Sequence, residues 1–215
     1  MGFRWKNGMA ILLSLFCLLN LTHAQEGVLW AQSHLFAQYR EAGRNGQNQV
    51  QTTYGNYTPR TLTAGLSLAA GVKLAPQWKL GLQLDNQHQY TRHQADAKFW
   101  IHQTRIGPLI RFQPSIGRFY FPLQAGGGWE RYNETFYERS SEAFKSFKKG
   151  NLLYIQGAAG FGVMLDANWR LEILPVFTYD TGELAVNIPG ALKEDYYDYS
   201  LQLRAGIIYS FSRKK

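Results

Sequence analysis

Three histidines supply the first candidate chemistry in this sequence. A hairpin that folds near Gln94 or Ala95 would bring His88 and His102 nearly opposite each other, with His93 in the loop above them. Imidazole nitrogens are common metal ligands, and a protonated imidazole attracts phosphate. We therefore hypothesise a weak metal or lipid-phosphate site at His88, His93 and His102. The simpler alternative is a set of polar residues near the headgroups of a membrane.

The remaining candidates for catalysis are poor ones. Ser33 and His34 are adjacent, and adjacent side chains of a strand point to opposite faces, which prevents a direct hydrogen bond between them. Cys17 is the only cysteine, and it lies in an amino-terminal apolar run that we expect to be removed. The remaining chain would have no thiol for a disulfide, a metal site or a nucleophile. We predict no catalytic residues, no metal and no cofactor.

The amino terminus has the features of an export signal. Arg4 and Lys6 precede an apolar run from Met9 to Leu21, and Thr22-His23-Ala24 precedes Gln25. The run is too short to cross a bilayer comfortably as a helix, so a retained anchor is the weaker interpretation. We expect residues 1–24 to be a signal peptide and residues 25–215 to be one domain.

The charge balance favours contact with anionic lipid. The whole sequence carries a formal charge of +8, and removing Arg4 and Lys6 from 23 basic residues leaves 21 against 15 acidic ones, or +6. An exported protein without a recognition motif is not expected to bind nucleic acid. Anionic lipid phosphates are the nearer predicted partner, and any ligand at the surface stays unassigned.

Apolar residues alternate with polar or small ones from about Leu29 to Phe211, which predicts an all-β chain. Between Tyr197 and Phe211 the odd-numbered positions are aromatic or aliphatic, and the even-numbered ones are mostly polar. The pattern predicts eight strands, each long enough to cross a bilayer when tilted. We place them at 28–42, 61–74, 79–91, 97–113, 118–132, 151–165, 170–181 and 195–211.

The connectors alternate in length. Short turns are predicted at 75–78, 114–117 and 166–169, and long polar loops at 43–60, 133–150 and 182–194, with 92–96 as a short exception. Short turns at one end and long loops at the other are typical of transmembrane barrels, with the turns in the periplasm. The sequence therefore predicts an eight-stranded, antiparallel, up-and-down transmembrane β-barrel with both termini in the periplasm.

A narrow barrel has just enough interior space for side chains, so its polar face is expected to form a lumen in which charges pair. The predicted lumen charge network consists of Lys73, Asp85, Arg105, Arg111, Glu130, Glu172 and Arg204. The alternative is a hydrolytic carboxylate pair assisted by arginines, but a filled lumen would offer a sugar no access. Pro108, Pro122 and Pro175 fall inside predicted strands, and each requires a bulge or a lost ladder bond.

The opposite face carries leucines and isoleucines, and aromatic residues cluster at both ends of the strands, as in a lipid-facing wall with two girdles. The predicted loop at 133–150 also contains aromatic and charged residues. It is interpreted either as an adhesive surface or as an extension of the two flanking strands beyond the membrane.

These features resemble the small outer-membrane β-barrel family of OmpA/OmpX-like proteins, in the porin-like version common among Bacteroidetes. The resemblance rests on the Ala24-Gln25 junction, on the turn and loop alternation, and on Gly206, Tyr209 and Phe211 in the last strand. In that family a terminal aromatic residue is part of the signal read by the barrel-assembly machinery, which implies this role for Tyr209 and Phe211. The match is imperfect because four residues follow Phe211.

The resemblance implies an integral outer-membrane barrel of a Gram-negative bacterium, with a structural or surface-interaction role and at most a narrow solute conduit. Its expected partners are outer-membrane lipid and lipopolysaccharide. Two alternatives stay open at this point. One is an outer-membrane lipid-modifying enzyme, which needs a serine and a histidine brought together near the outer leaflet. The other is a soluble secreted barrel that binds a hydrophobic ligand, which needs leucines that point inward.

Overall fold

The computed structural model describes residues 29–41, 61–92, 98–138, 143–187 and 193–211. The predicted signal peptide, residues 1–24, lies outside this range. The strands of the described residues are β1 (Leu29–Glu41), β2 (Thr61–Ala75), β3 (Trp78–Arg92), β4 (Lys98–Phe112), β5 (Ser115–Ile116), β6 (Phe119–Tyr120), β7 (Leu123–Glu138), β8 (Ala143–Ala159), β9 (Phe161–Met164), β10 (Trp169–Val186) and β11 (Glu194–Ser210). Within these ranges, no helix is both long and apolar enough to cross a membrane.

Eight long antiparallel strands form a closed ring. β1 to β4 pair in sequence order, and the ring continues through β7, β8, β10 and β11. β11 then pairs with β1, from Trp30 opposite Ser210 to Glu41 opposite Tyr199. Closure leaves no free sheet edge, so the backbone groups of the ring bond to neighbouring strands. The predicted eight-stranded antiparallel barrel is confirmed.

Two of the ring strands are interrupted near the tight turns. β6 and β7 are separated by Phe121 and Pro122, and β8 and β9 are separated by Gly160. The Gly160 N–H donates to the Pro122 carbonyl at 2.9 Å across this gap. The strand predicted over 118–132 is thus interrupted at Pro122, as expected of a proline in a strand, because proline has no N–H to donate to the ladder.

The two other internal prolines also cost ladder pairs. The β4–β7 register runs through Ile106 opposite Trp129 and resumes at Leu109 opposite Gly126, so Pro108 and its neighbour Gly107 are left out. The backbones of β4 and β7 approach closely there: a Cβ atom on Gly107 would lie 2.0 Å from the Gly127 carbonyl oxygen. At Pro175 the pairing with β11 is kept, but the β8 ladder reaches only as far as Val176.

Connector lengths differ between the two ends of the barrel. Tight turns occupy residues 76–77, 117–118 and 165–168. At the opposite end β7 continues to Glu138 and β8 starts at Ala143, while β10 continues to Val186 and β11 starts at Glu194. The segment predicted as a loop at 133–150 is therefore mostly strand, which agrees with the interpretation that it extends the two flanking strands. Within 182–194, the described strand residues are 182–186 and Glu194.

The two faces of the wall have opposite chemistry. Leucine and isoleucine side chains point outward, with Leu35 71% and Ile155 64% exposed. Charged and amide side chains point inward, and the Arg105 residue is 1% exposed. A soluble ligand-binding barrel has the reverse arrangement. This polarity matches a wall that contacts hydrocarbon.

Leu35→Arg tests the outward face in the middle of β1. In lipid vesicles, a charge at the bilayer midplane should lower the free energy of unfolding by about 2–4 kcal/mol. Ile116→Arg is the matched control: Ile116 is 74% exposed in the hairpin beside a tight turn, and its substitution should cost only about 0–1 kcal/mol near the interface. Urea titration in vesicles measures both. Equal, small effects would mean that the wall faces water.

Candidate functional site

The lumen layer nearest the tight turns is built around Glu172. Arg111 Nη1 donates to Glu172 Oε1 at 2.9 Å, and its Nη2 donates to Oε2. His34 Nε2 lies 2.7 Å from Oε1, and the Tyr120 hydroxyl donates to Oε2 at 3.1 Å. All four side chains are buried. The bidentate arginine pair ties β4 to β10, and His34 connects β1 to the same carboxylate.

The middle layer is built around Asp85. Arg204 Nη2 donates to Asp85 Oδ2 at 2.7 Å, which joins β11 to β3. Gln83 Nε2 donates to both carboxylate oxygens, at 2.8 and 2.7 Å. Gln124 Nε2 and Gln156 Nε2 donate in turn to Gln83 Oε1, at 3.0 and 2.8 Å. The amides thereby occupy the space around one buried ion pair.

The third layer is built around Arg105, which serves two carboxylates. Its Nε donates to Glu130 Oε2, and its Nη2 donates to Asp180 Oδ2 at 2.6 Å. Gln103 Nε2 donates to the other Glu130 oxygen at 2.5 Å and itself accepts a hydrogen bond from Gln87. Arg105, on β4, therefore holds β7 and β10 together.

Apolar side chains close the lumen at the end away from the tight turns. Ile101, Tyr132, Leu152 and Leu184 form a buried cluster, and Tyr196 packs against it. The rings of Tyr132 and Tyr196 have centroids 5.4 Å apart. These side chains come from β4, β7, β8, β10 and β11, so the cluster spans much of the ring.

A second apolar cluster fills the lumen toward the tight turns. Trp30, Ala69 and Leu109 form it, and the Lys79 ammonium lies 5.5 Å from the centroid of the Trp30 ring. Lys79 is buried, and its Nζ has no hydrogen-bond partner among the described residues. The face of the Trp30 ring is a neighbour that would offset part of a positive charge on Lys79.

The structure brings together six of the seven residues of the predicted lumen charge network. Asp85, Arg105, Arg111, Glu130, Glu172 and Arg204 all lie in buried ion pairs. Lys73 does not belong to them: its side chain is exposed, because it lies beside the tight turn where the β2–β3 register shifts. Sequence reasoning also missed Asp180 and His34. Strand parity contained the signal for Asp180, since it shares the inward face of β10 with Glu172.

The carboxylates do not form a hydrolytic pair. Glu130 is bound by Arg105 and Glu172 by Arg111, in different layers of the lumen. A catalytic acid needs a carboxyl group that holds a proton, whereas an adjacent arginine stabilises the ionised form. Ser33 and His34 are also separated, because Ser33 points outward and His34 points into the lumen toward Glu172.

His88 and His102 lie opposite each other on the outer face of β3 and β4. Their rings stack with centroids 4.5 Å apart and an angle of 6° between planes. The nitrogen lone pairs lie in the plane of each ring, so those of two stacked rings do not converge on one point. A zinc ion needs ligands that converge on it in a tetrahedron. His102 Nε2 also lies 3.1 Å from the Asn86 amide nitrogen, which can only donate to it.

The predicted three-histidine site is thus not assembled by the described residues. His93 lies outside them, and no group of three potential metal ligands occurs within them. The hairpin geometry that the sequence predicts for His88 and His102 is nevertheless present. What the pair offers is a polar, aromatic surface on the outer wall.

Tyr209 and Phe211 lie in an aromatic group at the tight-turn end. The Tyr209 ring is 4.7 Å from Trp169 and 4.7 Å from Phe211, centroid to centroid. The Phe211 N–H donates to the Leu29 carbonyl at 3.0 Å, which joins the end of the last strand to the first. Their role as an assembly signal stays a prediction.

Comparison with known proteins supports the architecture. No protein-family model and no curated protein matches the chain. Neisserial surface protein A, NspA, shares 12% identity, with 85% of this chain and 97% of that chain covered and a TM-score of 0.52. Ail of Yersinia pestis, solved with the heparin analogue sucrose octasulfate, shares 11% identity over 86% and 99% of the two chains, with a TM-score of 0.51.

OprG, an outer-membrane protein of Pseudomonas aeruginosa, shares 17% identity over 87% of this chain and 97% of its own, with a TM-score of 0.50. Identities this low show the fold alone. The chain therefore has the fold of the small outer-membrane β-barrels, which is the fold that the sequence resemblance implied.

Arg105→Met tests the third layer of the lumen. The variant leaves Glu130 and Asp180 without their shared cation, and breaking a buried ion pair costs about 3–5 kcal/mol of the free energy of unfolding. Adding Glu130→Gln and Asp180→Asn should recover most of this loss, because the buried charges are then gone. Urea titration measures each variant.

The control for Arg105→Met is Lys73→Met, which removes an exposed cation and should change the free energy of unfolding by no more than about 0.5 kcal/mol. If Arg105→Met unfolds like Lys73→Met, the ion pairs do not stabilise the barrel.

Proposed function

We propose that this protein resides in the outer membrane of a Gram-negative bacterium and acts through its outer and extracellular surfaces rather than through its lumen. The observation that carries the proposal is the reversed polarity of the wall, with leucines outside and paired charges inside. The Bacteroidetes origin stays a prediction from the sequence. Both termini lie at the tight-turn end in this proposal, which is the periplasmic side.

The filled lumen favours a structural or surface role over transport. Three layers of hydrogen-bonded ion pairs occupy its length, and the apolar cluster of Ile101, Tyr132, Leu152 and Leu184 closes one end. A hydrated ion would have to displace buried side chains whose charges are already compensated. We therefore propose that the barrel conducts no solutes.

The long hairpins supply the surface for interaction. β10 spans 18 residues, whereas a tilted strand needs about 9–11 to cross a bilayer. β7 and β8 are also longer than this, at 16 and 17 residues. The excess extends the hairpins beyond the membrane, where a partner is free to contact them. Tyr209 and Phe211 at the other end are proposed to be read by the barrel-assembly machinery.

Cell fractionation combined with gel mobility tests the location. Expressed in a Gram-negative host, the chain should be recovered in outer membranes, and unboiled samples should migrate differently from boiled ones because a closed barrel resists unfolding in detergent. Recovery as a soluble periplasmic protein without a mobility shift would contradict the proposal and favour a soluble barrel.

Planar bilayer recording tests the closed lumen. The folded protein should give no discrete conductance steps in molar potassium chloride, because the buried ion pairs and apolar clusters leave no water-filled path. Insertion is verified by heat-modifiability of protein recovered from the same lipid. Reproducible steps from inserted wild-type protein would show that the lumen opens.

A further inference from the structure

A groove of about 580 Å³ lies on the outer wall, formed by β4 and β7 with the edge of β8. Its lining changes character along the strands. Ile106 and Trp129 line the part nearer the tight turns, whereas His102, Arg131 and Asn133 line the part nearer the long hairpins. In the proposed orientation the apolar part faces the hydrocarbon and the polar part lies at the level of the outer headgroups. The groove thus has the polarity of an amphiphile.

One cation lines the polar part of the groove, and a second lies beside it. Arg131 is exposed on the outer face and forms no ion pair with a carboxylate of the described residues. Lys149 is also exposed, and it lies directly opposite Asn133 in the β7–β8 register. Glu130 contributes to the lining, but its carboxylate points into the lumen and is bound by Arg105.

The nearest outward acid in the register is already compensated. Glu183 on β10 lies opposite Asn151, which lines the groove. Lys193 Nζ donates to Glu183 Oε2 at 2.6 Å, and this hydrogen bond raises the pKa of Lys193. Lys193 therefore compensates Glu183, which does not cancel the positive charges of Arg131 in the groove and of Lys149 beside it.

Neutral hydrogen-bond donors complete the site. Thr104, Asn133 and Asn151 line the groove with a hydroxyl and two amides. Asn86 donates to His102 Nε2, so the proton of the neutral His102 ring is on the other nitrogen, which is then a donor. A phosphate group has several acceptor oxygens and a negative charge, and it matches one guanidinium surrounded by such donors.

We propose that this groove binds the phosphomonoester headgroup of an outer-leaflet lipid, with Arg131 as the principal contact and the acyl chain along Ile106 and Trp129. The inference rests on the proposed membrane location. A phosphate group accounts for the polar part of the groove but not for its apolar part. The apolar part favours a lipid over free phosphate as the occupant. The parallel rings of His88 and His102 argue against a metal as the occupant.

Quenching of tryptophan fluorescence tests the proposal. The full chain is folded into phosphatidylcholine vesicles that contain increasing fractions of phosphatidic acid with brominated acyl chains, and brominated phosphatidylcholine is the parallel series. Phosphatidic acid should quench at a lower mole fraction, because it places bromine beside Trp129, which is 45% exposed on the outer wall. Trp129→Phe should remove this excess quenching.

Arg131→Gln should raise the mole fraction of phosphatidic acid that gives half-maximal quenching by about tenfold, since it removes a charge-assisted hydrogen bond. Arg118→Gln is the matched control. It deletes the same charge from a tight turn and should leave the titration unchanged. Equal effects of the two substitutions would overturn the assignment of Arg131.

Competition with inorganic phosphate distinguishes a lipid headgroup from free phosphate as the group that the groove binds. An excess added to the vesicles should not reverse the quenching; reversal would show a site for free phosphate instead of lipid. Heat-modifiability of the same samples separates the two proposals. Protein that shifts on boiling but shows no preference for phosphatidic acid refutes the lipid site alone, whereas protein that does not insert refutes the membrane location.

Discussion

Every arginine of the ion-pair layers depends on a carboxylate that reaches it from another strand. An eight-stranded ring has room for side chains but little for water, so an unmatched interior charge would cost several kcal/mol. Arg105 on β4 is met by acids on β7 and β10, and Arg204 on β11 is met by Asp85 on β3. Arg105 and Glu130 lie opposite each other on neighbouring strands, whereas the Arg105–Asp180 and Arg204–Asp85 pairs cross the lumen. These two pairs therefore link strands that the backbone ladder does not join.

The same requirement fixes the register of the strands. Side chains alternate between the two faces, so a shift of one residue would turn the inward arginines toward lipid and the outward leucines into the lumen. The closed ladder satisfies the backbone, and the ion pairs favour one register of that ladder. The apolar outer wall is a consequence, since the alternate positions of the same strands are the ones that meet hydrocarbon.

Local patterns were sufficient to predict the strand number, the two faces and most of the lumen charges, because alternation is a property of each strand alone. Local patterns were not sufficient to predict which charged side chains pair with each other. Asp180 and His34 join the network through contacts across the lumen, and these depend on how the closed ring staggers its strands. By strand alternation Lys73 occupies an inward position, but it lies at the tight-turn end of the barrel, where its side chain is exposed. Alternation does not tell how far a residue lies from the end of the barrel, so the predicted buried environment of Lys73 was wrong. At the end away from the tight turns the two-faced pattern does not fix where a strand ends, so the sequence left two interpretations of 133–150, and the structure has the one in which the flanking strands extend.

The apolar wall is not equally tall around the ring. On β11 the outward positions stay aromatic or aliphatic from Phe211 to Tyr197, whereas on β3 they become polar at Asn86 and on β4 at Thr104. The apolar part of β3, from Trp78 to Leu84, is shorter than the roughly 9–11 residues that cross a bilayer. In the proposed membrane location, lipid beside this sector must thin locally, or headgroups must descend to meet the polar side chains. A wall that carries Arg131 and two histidines at this height favours the second adjustment, because the polar groups then meet phosphate rather than hydrocarbon.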